Sequence, residues 1–146
     1  MITNAQISKR NHTFVATVVK EGKEIAILDI KTKKQLHKLK IAKKAAVESH
    51  FTSLSFSWKD SFLAAATSTG DVHIINIKNG DVEVRQKHHF GRIHCIVFSK
   101  VQDVLYTCAE DETVKSYDLT LQKQSRQTLL IPFRNFTEFE ELQQES

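Results

Sequence analysis

The sequence predicts an all-β fold assembled from repeated four-stranded units, and three observations carry that expectation. The first is a 42-residue repeat that runs without a gap for about 27 positions. Phe51, Leu54, Phe56 and Ser57 recur as Ile93, Ile96, Phe98 and Ser99. Further on, Phe62-Leu63 recurs as Val104-Leu105, Ala66 as Cys108, Val72 as Val114, and Ile75-Asn76-Ile77 as Tyr117-Asp118-Leu119. The second is a more divergent copy at the N-terminus. Ile2, Ala5, Ile7 and Ser8 match Phe51, Leu54, Phe56 and Ser57 at an offset of 49, which drifts to 47 by Leu28-Asp29-Ile30. That drift is one residue inserted in each of two hairpin loops, where insertion is tolerated. The third is period-2 alternation between turn residues inside each unit. A period near 40 residues with several short strands per unit marks propeller blades rather than helical repeats.

The units are expected to span residues 1–48, 49–90 and 91–129, with a separate tail over 130–146. Unit three reads Ile93-His94-Cys95-Ile96-Val97-Phe98, then Asp103 to Cys108, then Thr113 to Leu119, with a polar outer strand near Gln124 to Leu129. Unit two closes its turns with Thr69-Gly70-Asp71 and Lys78-Asn79-Gly80-Asp81. Asn-Gly predicts a tight hairpin, because both turn positions tolerate positive φ. In each unit the last strand is the most charged, as the wet rim of a propeller requires.

The aligned residues resemble the WD-repeat family. In that family a His near the blade start, a Ser/Thr on the second strand, a turn Asp and an aromatic before a final Asp form a buried hydrogen-bond chain. In unit three the matching residues are His89, Thr107, Asp111 and Tyr117, with Tyr117-Asp118 as the dipeptide. Units one and two depart from the pattern, with Leu28-Asp29 and Ile75-Asn76 at the dipeptide. In unit two Val47 stands at the blade-start His and Thr69 at the turn Asp. The resemblance covers about 128 of 146 residues, but the full motif is present once. The runs His89 to Phe98 and Leu105 to Val114 further resemble a blade of the nucleolar WD-repeat subunits of the small-subunit processome. That resemblance implies a non-catalytic scaffold with protein partners, pre-ribosomal processing factors among them, in the nucleus or nucleolus. The C-terminal helical region such subunits carry is not seen in this sequence.

Closure is the next constraint. Three blades do not close a ring when four is the lower limit of the usual range. End blades would then expose apolar faces of several hundred Å2, the size that marks interfaces or aggregation. The chain is therefore expected to be part of a longer propeller, to complete a ring with another chain or copy, or to fold poorly alone.

Charge is uneven along the chain. Residues 1–50 carry eleven Lys/Arg against four Asp/Glu, whereas residues 101–146 carry four against nine. A basic half and an acidic half suit charge-complementary contacts. The N-terminus shows neither the basic start nor the apolar stretch of a secretion signal, and no apolar run approaches the ~18 residues of a membrane helix. The expectation is an intracellular protein with no membrane partner, whose Cys95 and Cys108 are reduced.

The densest basic run holds Lys31, Lys33, Lys34, Lys38, Lys40, Lys43 and Lys44. It is read either as a solvated rim that blunts a sheet edge or as a contact for RNA or an acidic partner. Topology favours the rim. Lys33-Lys34 belongs to the loop before the fourth strand and Lys43-Lys44 to the loop after it, on opposite propeller faces. No aromatic interleaves with the run, as single-strand stacking would need.

Metal and catalytic readings are weaker. His88, His89, His94 and Cys95 lie close together, but without metal-ligand spacing, and His94 and Cys95 point to opposite faces of one strand. No metal or other cofactor is expected. His89, Thr107 and Asp111 could pass for a triad, yet the repeat places them inside a blade, so no catalytic residue is assigned. After Pro132, residues Phe133, Phe136, Phe139 and Leu142 recur every third position, and Thr137 with Glu140 reads as a capping box. This tail is expected to dock on a neighbouring blade or on a partner.

Overall fold

The computed structural model describes residues 4–41 and 48–120, together with the strand 123–129. Lys43, Lys44 and the tail residues Phe133, Phe136, Phe139 and Leu142 lie outside the described residues. The described chain forms three four-stranded antiparallel sheets. The first holds β1 (Asn4–Ile7), β2 (Phe14–Val19), β3 (Glu24–Asp29) and β4 (Lys34–Lys40) in sequence order. The second holds β5 (Phe51–Phe56), β6 (Phe62–Thr67), β7 (Asp71–Asn76) and β8 (Val82–Lys87). The third holds β9 (Ile93–Phe98), β10 (Val104–Ala109), β11 (Val114–Asp118) and β12 (Lys123–Leu129). Each sheet is an up-and-down meander, the blade of a propeller.

The repeat is visible in the hydrogen bonds themselves. The amides of Ser8, Ser57 and Ser99 donate to the carbonyls of Phe14, Phe62 and Val104 at 2.9, 2.9 and 2.8 Å. The amides of Ile30, Ile77 and Leu119 donate to Thr13, Ser61 and Asp103 at 2.8, 2.9 and 3.0 Å. Serine recurs at the end of the inner strand for a reason. The hydroxyls of Ser8 and Ser57 each accept the amide of the residue that opens the next strand, Phe14 or Phe62, at 3.0 Å. A short polar side chain thereby closes a loop whose amide would otherwise be unpaired.

One turn differs from its sequence expectation. Asn79-Gly80 is not a two-residue hairpin: Asn76 pairs with Asp81, leaving a loop of residues 77–80. Only Gly80 is left-handed there, at φ +79°, while the Asn79 side chain accepts the amide of Asp81 at 3.0 Å. Asn-Gly marks the turn correctly, but the side-chain hydrogen bond selects a longer loop than the dipeptide alone implies.

Blades are joined by two apolar layers. Ala16, Val18, Ile25 and Ile27 of the first blade pack on Phe51, Leu54, Phe56, Leu63, Ala65 and Ile75 of the second. Ala64, Ala66, Val72 and Ile74 pack on Ile93, Ile96, Phe98, Leu105 and Tyr117 of the third. The run Ala64-Ala65-Ala66 is fully buried because β6 lies between both neighbours and its alternate residues enter opposite layers. Burying each large aliphatic or Phe side chain is worth about 1.5–3 kcal/mol, so these layers, not the strand ladders alone, hold the blades together. Hydroxyls on β5 add direction: Thr52 donates to the Ile93 carbonyl at 2.6 Å, and Ser55 accepts the Phe98 amide at 3.0 Å.

The two end faces are unlike. On the first blade, Glu24 is met by Lys20 at 3.0 Å, Lys38 at 2.9 Å and Lys40 at 3.6 Å. Lys38 and Lys20 hold its carboxyl down at about 2, against an ordinary 4.5. On the third blade the face turned away from its neighbour carries the buried Cys108 and Val114, with Cys95, Val97 and Tyr106 partly buried against them.

Candidate functional site

The first candidate is the group centred on His89, which lies just before β9 with 1 % of its surface exposed. Its Nδ1 stands 3.0 Å from both Asp111 carboxylate oxygens, and its Nε2 2.7 Å from the Thr107 hydroxyl. A carboxylate only accepts, so the neutral ring carries its proton on Nδ1 and Nε2 accepts from Thr107. Burial lowers the His89 pKa, and the Asp111 carboxylate offsets part of that effect. At Asp111 burial pushes upward but is outweighed by the Thr113 hydroxyl, the Phe90 amide and His89, so its carboxyl is held low.

Three of the four residues read from the sequence therefore meet. Tyr117 takes a different place: its ring lies in the layer between blades two and three, 5.7 Å from the His88 ring. Thr113, which the sequence reading missed, donates to Asp111 Oδ1 at 2.7 Å and approaches His89 Nδ1 at 3.0 Å. The group binds strands together. The β10 hydroxyl, the turn carboxylate and the segment before β9 are tied through one ring with almost no exposed surface. The preceding blade joins in, because the Gly70 carbonyl accepts the amides of His88 and His89 at 2.9 and 3.1 Å. Gly70 sits at φ +90°, and a Cβ there would fall 2.1 Å from the His89 carbonyl oxygen, so the close approach needs glycine.

Blade two replaces this group with hydroxyls. Thr69 and Asp71 occupy the positions of Asp111 and Thr113 in reversed order, and their Thr-to-Asp hydrogen bond is again 2.7 Å. Ser49 and Thr67 complete the set at 3.0 and 3.1 Å from the Thr69 hydroxyl. The motif that looked degenerate in sequence is satisfied by other chemistry.

Two further histidines are buried and neutral. Burial, with Arg85 adding to it, takes His73 down to about 4, and burial with His89 does the same to His88, from an ordinary 6.5. A lowered histidine pKa means the unfolded chain binds more protons between those values. Stability is therefore fully present above pH 6.5 and is lost as pH falls to about 4. Glu24 extends the loss below 4.5 toward about 2. The midpoint of urea unfolding should fall progressively from pH 7 to 4, and His73→Gln should flatten the upper part of that fall.

The basic run is dispersed. Lys34, Lys38 and Lys40 lie on β4, while Lys31 and Lys33 sit in the turn before it. All five are exposed, but Lys38 and Lys40 are paired with Glu24, whereas Lys31, Lys33 and Lys34 carry no ion pair among the described residues.

A denser cationic cluster escaped the sequence reading. The loops β1–β2, β5–β6 and β9–β10 converge at one end of the inner strands and enclose an open concavity of about 890 Å3. Its walls are Ile7, Lys9, Arg10, His12, Trp58, Lys59 and Lys100, with Ser8 at the base. Lys9 donates to the Phe98 carbonyl at 3.1 Å, reaching across from blade one to blade three. Asp60 locks the loops, accepting the amides of Lys9, Arg10 and Asn11 at 2.6, 2.9 and 3.2 Å.

Comparison with solved structures fixes the fold. The structure of U3-55K superposes with a TM-score of 0.77 at 18% identity, over 89% of this chain and 39% of that one. The WD40 repeats of RRP9 match equally, at a TM-score of 0.77 and 18% identity, over 89% of this chain and 38% of that one. The chain has the fold of WD40 propeller blades. It spans well under half the length of these two chains. No protein-family model and no curated protein matches the sequence.

Proposed function

We propose that this chain is a blade segment of a non-catalytic WD-repeat scaffold that binds other proteins in a nucleolar assembly processing pre-ribosomal RNA. The observation that carries the scaffold reading is the apolar face of blade three that is turned away from blade two. Among the described residues Cys95, Val97 and Tyr106 are only partly buried there, packed on the buried Cys108 and Val114. By contrast, the outward side of β3 in blade one carries the buried Glu24, ion-paired with Lys38 and Lys40. A flat apolar blade face calls for another blade, in this chain's continuation or in a partner. The processing role rests on the resemblance of His89 to Phe98 and Leu105 to Val114 to nucleolar WD-repeat subunits. The WD40 fold shared with U3-55K and RRP9 is compatible with it.

The test is affinity purification of the tagged chain from its own cells, with and without ribonuclease, followed by mass spectrometry. Pre-ribosomal processing factors that persist after ribonuclease treatment are the expected result. Loss of those factors in a Tyr106→Asp, Val97→Asp variant would place the contact on the blade-three face. Their absence from the wild-type sample would overturn the assignment to ribosome biogenesis.

A further inference from the structure

We infer that the concavity enclosed by the β1–β2, β5–β6 and β9–β10 loops is a binding site for single-stranded nucleic acid, with Trp58 stacking a base and Arg10, Lys59 and Lys100 contacting phosphates. The inference stands apart from the scaffold reading, because it concerns the loop end of the blades and not their faces.

Four observations converge on it. The first is charge without compensation. Lys9, Arg10, Lys59 and Lys100 line the concavity with His12, and no carboxylate is among its described lining residues. Asp60, which follows Lys59 in the β5–β6 loop, is 6 % exposed, and both its oxygens are taken by the amides of Lys9, Arg10 and Asn11. The second is crowding. Burial lowers the Lys9 pKa and the nearby Lys100 ammonium lowers it further, with Asp60 opposing. Like charges held this close favour an anionic occupant.

The third observation is the aromatic. Trp58, the only tryptophan of the chain, is half-buried in the wall, with the Lys59 ammonium 4.6 Å from its ring centre. Aromatic and cation in one groove are the combination that binds unpaired strands without sequence preference. The run Lys31 to Lys40 has no aromatic and spends Lys38 and Lys40 on Glu24. The fourth is shape. About 890 Å3 of open space with an exposed Ile7 beside the indole accommodates a planar base and its phosphates. An acidic peptide would satisfy the ammonium groups but offers no planar ring to the half-buried indole, which already has Lys59 over it.

Because Trp58 is unique, its intrinsic fluorescence reports on this site alone. The full chain is titrated with a 12-nucleotide oligouridylate, and in parallel with a 12-residue polyglutamate. The expected result is saturable quenching by the oligonucleotide and none by the peptide. With three phosphate contacts, the logarithm of affinity should fall with a slope of about −2 against log salt, or roughly 20-fold between 50 and 200 mM. The double variant Lys59→Ala, Lys100→Ala, whose side chains are exposed, should retain its circular-dichroism spectrum and lower that slope to about −0.7. Trp58→Phe, followed by anisotropy of labelled oligonucleotide, should weaken binding severalfold. Lys31→Ala, Lys33→Ala, Lys34→Ala should leave binding unchanged. No binding, equal quenching by polyglutamate, or loss confined to the Lys31–Lys34 variant would each overturn the proposal.

Discussion

Replacing His89 by alanine is expected to destabilise the chain by about 3–5 kcal/mol, measured as the loss of unfolding free energy in urea at pH 7. The estimate has two parts. Deleting the ring leaves a void at a site with 1 % exposure, between Thr107 and Asp111. It also removes the Nδ1 donor from a carboxylate that is only partly exposed, and the Nε2 acceptor from a hydroxyl that is fully buried. Each orphaned buried group costs about 1–3 kcal/mol, more than the hydrogen bond itself is worth net. Thr107→Val should fall lower, at about 1–2 kcal/mol, because it removes one partner and leaves the ring bonded to Asp111. Thr107→Ser, which keeps the hydroxyl, should restore most of that difference. If His89→Ala costs no more than Thr107→Val, the ring is not the hub of the group. The loss should also be local, with amide-exchange protection falling first in β9, β10 and β11.

Much of the architecture was legible in the chain because the propeller repeat is a local pattern. Phe51-x-x-Leu54-x-Phe56-Ser57 and its copy at Ile93 encode one inner strand, and the serines Ser8 and Ser57 cap the same loop in blades one and two. His89, Thr107 and Asp111 were named from the resemblance to the WD-repeat family, and the strand geometry brings them into contact. Where the reading failed, the deciding partner lay elsewhere in the fold. Tyr117 lies against the His88 ring in the layer between blades, and the fourth side chain bonded into the group is Thr113. The Asn79 side chain lengthened a turn that the Asn-Gly dipeptide alone makes short. Thr69 and Asp71 carry the blade-two group in reversed order, which a motif aligned by position does not see.

The cationic concavity illustrates the same limit. Lys9, Arg10, Trp58, Lys59 and Lys100 sit in three separate loops, about 50 and 40 residues apart, and no window of sequence contains them. The run Lys31 to Lys44 drew notice because its charges are adjacent in sequence. Adjacency misleads on a β-strand, where neighbours point to opposite faces and Glu24 on β3 absorbs Lys38 and Lys40.

Asp60→Ala is expected to cost about 2–4 kcal/mol and to separate blade one from blade two before either melts. Asp60 is 6 % exposed, at φ +59° in the β5–β6 loop, a conformation that aspartate tolerates better than most residues. Its two oxygens accept three consecutive amides of the β1–β2 loop, so one side chain from blade two satisfies a whole turn of blade one. Hydrogen bonds to a charged acceptor are worth roughly twice neutral ones, and alanine leaves all three donors facing a cavity or a disordered water. Asp60→Asn is the informative companion. An amide keeps one acceptor oxygen but presents donors where Oδ1 or Oδ2 now accepts, so it should recover less than half of the loss. Amide exchange at Lys9, Arg10 and Asn11 should rise in both variants while β6 and β7 stay protected. The clamp also shapes the concavity, because the Lys9 and Arg10 backbone is fixed by Asp60 alone among the described hydrogen bonds of that turn. Quenching of Trp58 by oligouridylate should therefore weaken in Asp60→Ala even at temperatures where the chain remains folded. A clamp that tightened the blades without affecting the loops would leave that quenching intact.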